Sequence, residues 1–418
     1  MKNPLFMNAI KTRLTATTAL STVLISTLTA ATAVAPSGIA PIAAAQNSQD
    51  CVATMLSSES ALREPTVIEK TLRFRQAWQL TTGAGITVAV IDTGVSPNER
   101  LGEVLDGGDF VDGDSGFVDC DGHGTLVAGI IAGRPGADGF AGLAPDAHVL
   151  SIRQTADGEG NLESLAQAID RAVAEGARVI NISLTSCAPA GVMPQGATDV
   201  AESVARAEVS GAVVVAAAGN KGDSCQAGSV AWPAVLPEVI AVSAVQFDDA
   251  GQAQPAEYAI TGQWVNVSAP GGPVLGPDPR TPTGLIDRHV FGSGDNTRAQ
   301  QIAGTSFATP AVSGTAALLL ARNPELSPAQ VRDIILNSAS PISSGLGLGR
   351  GIIAPYDALI WTTADTAAQH AANPAAAPAP PDLLSSQERN APLRATGLLL
   401  ICALGLGAWL LSRPRQRP

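Results

Sequence analysis

Basic residues are in short supply in this chain. Lys and Arg number 25 against 37 Asp and Glu, a formal net charge of -12 over 418 residues. That balance argues against nucleic acid as a partner, which would call for a basic face, and solubility suffices to explain the acidic surplus. Aromatics are also scarce: 8 Phe, 5 Trp and 2 Tyr stand beside 42 Gly and 29 Pro, a composition suited to a loop-rich α/β domain with small-residue tails. No internal repeat is visible, so the length holds one large domain or two smaller ones, with core enough to be stable unaided. The acidic run over 106–121, Asp106, Asp109, Asp112, Asp114, Asp119 and Asp121 among glycines, follows no EF-hand spacing. It reads as a solvated loop in preference to a calcium site, and no metal or cofactor is expected.

Four short segments carry chemistry. Ile91-Asp92-Thr93-Gly94 closes an apolar run over 86–92 that reads as a strand buried on both faces of a parallel sheet. Asp92 stands at its end, where open α/β sheets place functional residues. Asp121-Gly122-His123-Gly124-Thr125 opens a segment that reads as a helix packed on that sheet. Ala218-Gly219-Asn220 follows a strand over 213–217. Gly304-Thr305-Ser306-Phe307-Ala308-Thr309-Pro310 runs into an apolar stretch over 311–320, so a helix begins at a serine. Small neighbours there admit a substrate backbone, and a helix N-terminus favours developing negative charge. Singly, an aspartate ending a strand or a serine capping a helix is an ordinary structural feature, and His148, His289 and His370 look equally ordinary. Together, and in the order Asp, His, Ser, the segments are informative.

The stretches between them alternate. Strands are expected over 148–152, 179–184 and 239–245. Helices are expected from the Asn161 cap to Gly176, over 201–210, and from Ser327 with Pro328 at the first position and Gln330 at the third. Such alternation predicts βαβ units and a mostly parallel sheet.

Over roughly 81–361 these motifs resemble the subtilisin-like serine proteases, the subtilases. The resemblance implies a three-layer α/β fold, its mostly parallel central sheet flanked by helices. It implies a serine endopeptidase in which Ser306 is the nucleophile, His123 the general base and Asp92 the group that orients the imidazole. The Asn220 side-chain amide and the Ser306 backbone N–H would form the oxyanion hole. An extended substrate would pair with Ser183, Leu184 and Thr185, and Ala217, Ala218 and Gly219 would line the opposite wall of the P1 pocket. Subtilisins usually carry glycine where Thr185 stands, so a side chain there is expected to narrow or redirect the cleft.

The ends of the chain carry other signals. Lys2, Lys11 and Arg13 precede a mostly apolar run over 14–35 and small residues up to Ala45, which reads as a signal peptide over 1–45. A cut near Ala33 and an uncleaved anchor are the alternatives. Residues 46–80 form an N-terminal extension, expected on the surface and too short for an independently folded prodomain. The protease domain spans 81–362 and an Ala/Pro-rich linker 363–394. Residues 395–412 carry no charge and would make a helix of about 27 Å, near the thickness of a bilayer core. Arg413, Arg415 and Arg417 beyond it place the tail, 413–418, in the cytoplasm and the protease outside.

Cys402 falls in the membrane segment, which leaves Cys51, Cys120, Cys187 and Cys225 in an oxidising compartment with three pairings open. Cys187 and Cys225 follow strands expected to be neighbours and should pair, leaving Cys51 with Cys120, three residues from His123. The Pro/Gly-rich stretch over 271–298 either shapes the cleft or merely connects. This layout resembles the mycosins of actinobacteria, membrane-anchored proteases associated with type VII (ESX) secretion systems. Implied partners are protein or peptide substrates, the membrane and a secretion complex. The competing readings are a membrane-tethered processing or nutritional subtilase without a secretion partner, and a mainly structural subunit of a membrane complex.

Overall fold

Alternation of facing governs the centre of the fold. Along the strand Thr87–Asp92, Val88 and Val90 enter one apolar cluster while Ala89 and Ile91 enter another on the opposite face. A strand buried on both sides needs a helix layer over each face, and the structure has both. The computed structural model describes residues 51–361 except 114, 157, 159, 223, 224, 227, 292–296 and 343–346. The expected signal peptide, linker, membrane segment and tail, with His370 and Cys402, lie outside the described residues. Among those described, no helix is long and apolar enough to cross a membrane.

In chain order the strands are β1 (Ala53–Met55), β2 (Thr87–Asp92), β3 (Val104–Asp109), β4 (His148–Arg153), β5 (Val179–Ile182), β6 (Ser186–Pro189), β7 (Val213–Ala217) and β8 (Ser229–Trp232). They continue with β9 (Ile240–Phe247), β10 (Ala253–Pro255), β11 (Val267–Pro270), β12 (Gly276–Pro277), β13 (Leu285–Ile286), β14 (Arg288–Phe291) and β15 (Arg298–Gln301). The α-helices are α1 (Val67–Leu72), α2 (His123–Ala132), α3 (Leu162–Ala174), α4 (Ala197–Val209), α5 (Thr305–Arg322), α6 (Pro328–Ser338) and α7 (Pro355–Ile360). The main sheet runs in the order β10-β9-β7-β5-β2-β4-β3, and β11 also pairs with β9. Every pairing in it is parallel except that of β10 with β9.

Helices α2 and α5 cover one face and α3 and α4 the other. Asn161 caps α3 by accepting the Ser164 N–H, and Ser327 with Gln330 closes a full capping box on α6. Helix α5 is buried along its length from Thr305 to Leu320, so its sequence is apolar or small all round and shows no amphipathic stripe.

Two expectations are corrected. The strand expected over 179–184 ends at Ile182, and 183–185 runs unpaired between β5 and β6. The extension is a surface feature only in its first part. Ile68, Leu72, Phe74 and Ala77 enter the core, and Trp78 Nε1–H donates to Leu143 O at 2.8 Å. The stretch over 271–298, for which shaping the cleft and connecting were both open, carries β12, β13 and β14, and β14 is the middle strand of a sheet β1-β14-β15 that joins the extension to the approach to Ser306.

Candidate active site

Asp92 is the last residue of β2 and fully buried. Its Oδ1 accepts the Thr93 N–H at 2.8 Å and lies 2.6 Å from His123 Nδ1. His123 is the first residue of α2, and Gly124 lets that helix approach so closely. A Cβ at Gly124 would stand 2.0 Å from Gly94 O and 3.1 Å from Asp92 Cβ. With Nδ1–H donated to Asp92, Nε2 is left with a lone pair facing away. Burial pushes the His123 pKa down, but the charge and hydrogen bond of Asp92, aided by Asp119 and Asp121, outweigh it and hold it above the ordinary value.

Ser306 is the second residue of α5, 9% exposed. The next ring, Phe307, packs on the His123 imidazole with centroids 4.9 Å apart, which brings the serine and histidine segments together. Among the described residues no hydrogen bond links the Ser306 hydroxyl to His123; such contacts often tighten only in complexes. Pro310 lies inside the helix and has no N–H to give to the carbonyl four residues back, that of Ser306. The Ser183 hydroxyl supplies the missing donor at 2.8 Å, and Ser183 Oγ itself accepts from Asn181 Nδ2 at 2.9 Å. A proline thus ties the serine-bearing turn to the segment over 183–185.

Asn220 follows β7 and is exposed. Its Oδ1 accepts both the N–H and the hydroxyl of Thr305, at 3.0 and 3.1 Å, which commits that oxygen and leaves Nδ2 as a donor. Nδ2 lies 3.2 Å from where a Cβ would stand at Gly304, so glycine keeps the space before it clear. Tyr258 braces both sides: its carbonyl accepts the Lys221 N–H at 2.7 Å, and its hydroxyl is hydrogen-bonded to the Gly304 backbone. Burial pushes that phenol up to about 12, so it stays protonated.

Ser183 is buried, whereas Leu184 and Thr185 are half-buried. Thr185 Oγ1 donates to Ala217 O at 3.3 Å, and its methyl lies 3.1 Å from a Cβ built on Gly219, so the threonine side chain bridges the two walls. Ala217 and Ala218 are buried, and Gly219 takes a left-handed turn at φ 95°. Cys187 is bonded to Cys225 just outside this wall, and Cys51 to Cys120 next to the histidine segment.

Sequence reasoning missed Asp119, Thr93, Thr305 and Tyr258. Asp119 does not lie in a solvated loop; it is 7% exposed. Burial pushes its carboxyl up to about 6, against hydrogen bonds from Thr125 and Thr93 that pull it down. Its place four residues before His123, with Thr125 two after, is the signal that could have marked it. Three other carboxylates of that loop are occupied locally. Asp106 accepts from Gly108 N, Gly116 N and Ser115 Oγ, and Asp109 and Asp112 share Arg153. Among the described residues no group of three or more His, Cys, Asp or Glu is placed to hold a metal.

Comparison with known proteins follows the same lines. The sequence pattern of the Subtilase family matches residues 83–376. Mycosin-4 of Mycobacterium tuberculosis (strain ATCC 25618 / H37Rv) is 37% identical over 372 residues, covering 82% of this chain and 80% of that protein. The solved structure of the MycP3 protease from the type VII (ESX-3) secretion system superposes with a TM-score of 0.66 at 36% identity, over 75% of this chain and 92% of that one. A chain of an intact ESX-5 inner membrane complex matches at 30% identity and a TM-score of 0.67, over 86% of this chain and 92% of its own.

Proposed function

The chain belongs to the subtilase family and is a serine endopeptidase similar to the mycosins, and on that premise we propose that Asp92, His123 and Ser306 are its catalytic triad. The observation that carries this reading is the 2.6 Å contact of His123 Nδ1 with a fully buried Asp92. It fixes the tautomer that leaves Nε2 free to act as a base. A serine hydroxyl is a weak nucleophile at neutral pH, so Nε2 takes its proton as Ser306 Oγ attacks the scissile carbonyl. Asp92 stabilises the imidazolium that forms. The tetrahedral oxyanion is met by Asn220 Nδ2 and the Ser306 N–H, the first oriented in advance by Thr305. The protonated imidazole then gives its proton to the leaving amine, and water resolves the acyl-enzyme by the same route in reverse. The unpaired backbone over 183–185 is free to take the substrate as an extended strand, opposite Ala217, Ala218 and Gly219.

The proposed setting is an extracytoplasmic membrane surface. Residues 395–412 anchor the chain, the tail over 413–418 is cytoplasmic, and the protease acts on a limited set of proteins beside a type VII secretion complex. The likeness to a chain of the ESX-5 inner membrane complex, across 86% of this chain, supports that partner. It also supports a scaffolding role alongside proteolysis.

The test is labelling of the full-length protein by a fluorophosphonate probe. We expect label on the wild type and none on Ser306→Ala or His123→Ala. Label retained on folded Ser306→Ala would refute the assignment of the nucleophile. In cells, secretion that fails on deletion but survives Ser306→Ala would assign the essential role to the scaffold.

A further inference from the structure

Asp119 lies outside the triad, yet it is the most thoroughly engaged carboxylate near it. Its Oδ1 accepts the Thr93 hydroxyl at 2.7 Å and the Gly122 N–H at 2.8 Å. Its Oδ2 accepts the Thr125 N–H at 2.8 Å and the Thr125 hydroxyl at 2.6 Å. All four partners are donors, which suits an acceptor-only carboxylate and no neutral side chain of the same shape. Thr93 Oγ1 in turn accepts the Gly124 N–H at 3.0 Å, and the Thr93 N–H is bonded to Asp92 Oδ1. The bonds therefore close a ring from Asp92 through Thr93 and Asp119 to the first turn of α2, and back through His123 to Asp92.

We propose that Asp119 is a positioning residue of the protease, a buried carboxylate that sets the spacing of Asp92 and His123 by tying the turn after β2 to the first turn of α2. This rests on the triad reading above. The consequence for rate follows from geometry, since a small misplacement of a catalytic pair slows a reaction far more than it weakens binding. Electrostatics acts in the same place. The charged and titratable groups that surround the pair are Asp92 on β2, His123 on α2, Asp119 and Asp121 before it, and His289 on β14, whose own pKa burial and His123 push down. Among them Asp119 raises the His123 pKa.

The substitution Asp119→Asn keeps the shape but turns one acceptor into a donor, leaving two of the four buried donors without a partner. The measurement is the rate of inactivation of the full-length protein by diisopropyl fluorophosphate between pH 5 and 9 (a range of about four units around the ordinary histidine pKa). We expect Asp119→Asn to react at least about tenfold more slowly at its plateau. The acid limb of its profile should move to lower pH, because a negative charge that favours imidazolium is gone; a merely structural role would leave that limb in place. Thr93→Val, which breaks the ring at its other joint, should slow the reaction too, and the double variant should be slower by less than the product of the two. Should Asp119→Asn fail to fold, Thr125→Val removes one of its four bonds but keeps its charge, and is expected to slow the plateau by a smaller factor while leaving the acid limb in place. A folded Asp119→Asn with wild-type rate and limb overturns the proposal, as does wild-type behaviour of both threonine variants. Label that persists on Ser306→Ala would instead sink the triad reading, and with it this one.

Discussion

Replacing Ser183 by alanine perturbs a joint that the sequence of α5 makes necessary. Pro310 cannot donate to the Ser306 carbonyl, so that buried oxygen depends on the Ser183 hydroxyl at 2.8 Å. The same hydroxyl accepts from Asn181 Nδ2, and Asn181 and Ser183 are 0% and 3% exposed. Ser183→Ala therefore strands two buried groups. Each costs about 1–3 kcal/mol, and partial relaxation leaves a total of roughly 2–4 kcal/mol. At ~2–4 °C per kcal/mol for a domain of this size, thermal unfolding should begin about 4–16 °C lower. The decisive arm is the second substitution. Pro310→Ala restores an N–H within reach of the Ser306 carbonyl, so in the Ser183→Ala background it should recover about 1 kcal/mol more than it does in the wild type. The assay is a thermal or urea double-mutant cycle on the full-length protein, with fluorophosphonate labelling as a check on the active site. A loss below about 0.5 kcal/mol for Ser183→Ala, the scatter expected of a neutral surface change, would refute the reasoning. So would a cycle with no coupling between the two positions.

Three other outcomes are expected. Asn220→Ala should cut turnover by about a hundred- to a thousandfold with little change in KM, a range established on subtilisin itself for loss of one oxyanion donor; KM that rises in step with the loss would point to ground-state binding instead. Because only the neutral imidazole can act as base and the His123 pKa is held above its ordinary value, labelling should rise with pH through a midpoint above ~6.5 and then level off. A midpoint below ~6 would contradict that direction. Thr185→Gly removes the bridge between Thr185 and Ala217, so a peptide library should show cleavage after bulky P1 residues gained relative to the wild type, and an unchanged profile would show that the threonine does not restrict the pocket.

How much of this was legible beforehand depended on the range of the interactions. The segments around Asp92, His123, Asn220 and Ser306 are local in sequence, and their combination and order, more than any one of them, announce a site: an apolar run ending in Asp, a His between glycines, a Ser opening an apolar stretch. The alternation that built the parallel sheet was equally visible. Strand β5 ends at Ile182, two residues short of the expected 184, although Ser183 and Leu184 look like strand residues, and the Ser183 hydroxyl is engaged instead with the distant Ser306 carbonyl. The stretch over 201–210 lies in helix α4 as expected, with Ser210 as its C-cap, and the helix starts earlier, at Ala197, after the left-handed Gly196. Helix α1 has six residues, too few for Ile68 and Leu72 to register as a buried face. Asp119 was hidden among carboxylates of the same composition. What distinguishes it is a set of bonds to Thr93, Gly122 and Thr125, and the run of Asp and Gly taken by itself does not mark it; only its spacing to His123 and Thr125 does.

The extension gains a further meaning from how it is fastened. Cys51 is covalently joined to Cys120, Val52 N–H donates to Cys120 O at 2.9 Å, and β1 lies antiparallel against β14. Ser57 is bonded through its N–H and hydroxyl to Asp287, and Thr54 to Asp278. At its other end the extension passes into core positions from Ile68 onward. A protease that cut this chain between Met55 and Thr66 would produce two polypeptides but not two molecules, since the shorter piece would remain attached through sulfur. Peptide-bond cleavage alone is therefore no route to discharge the segment, and an electrophoretic shift under reducing conditions would record a nick, not a departure.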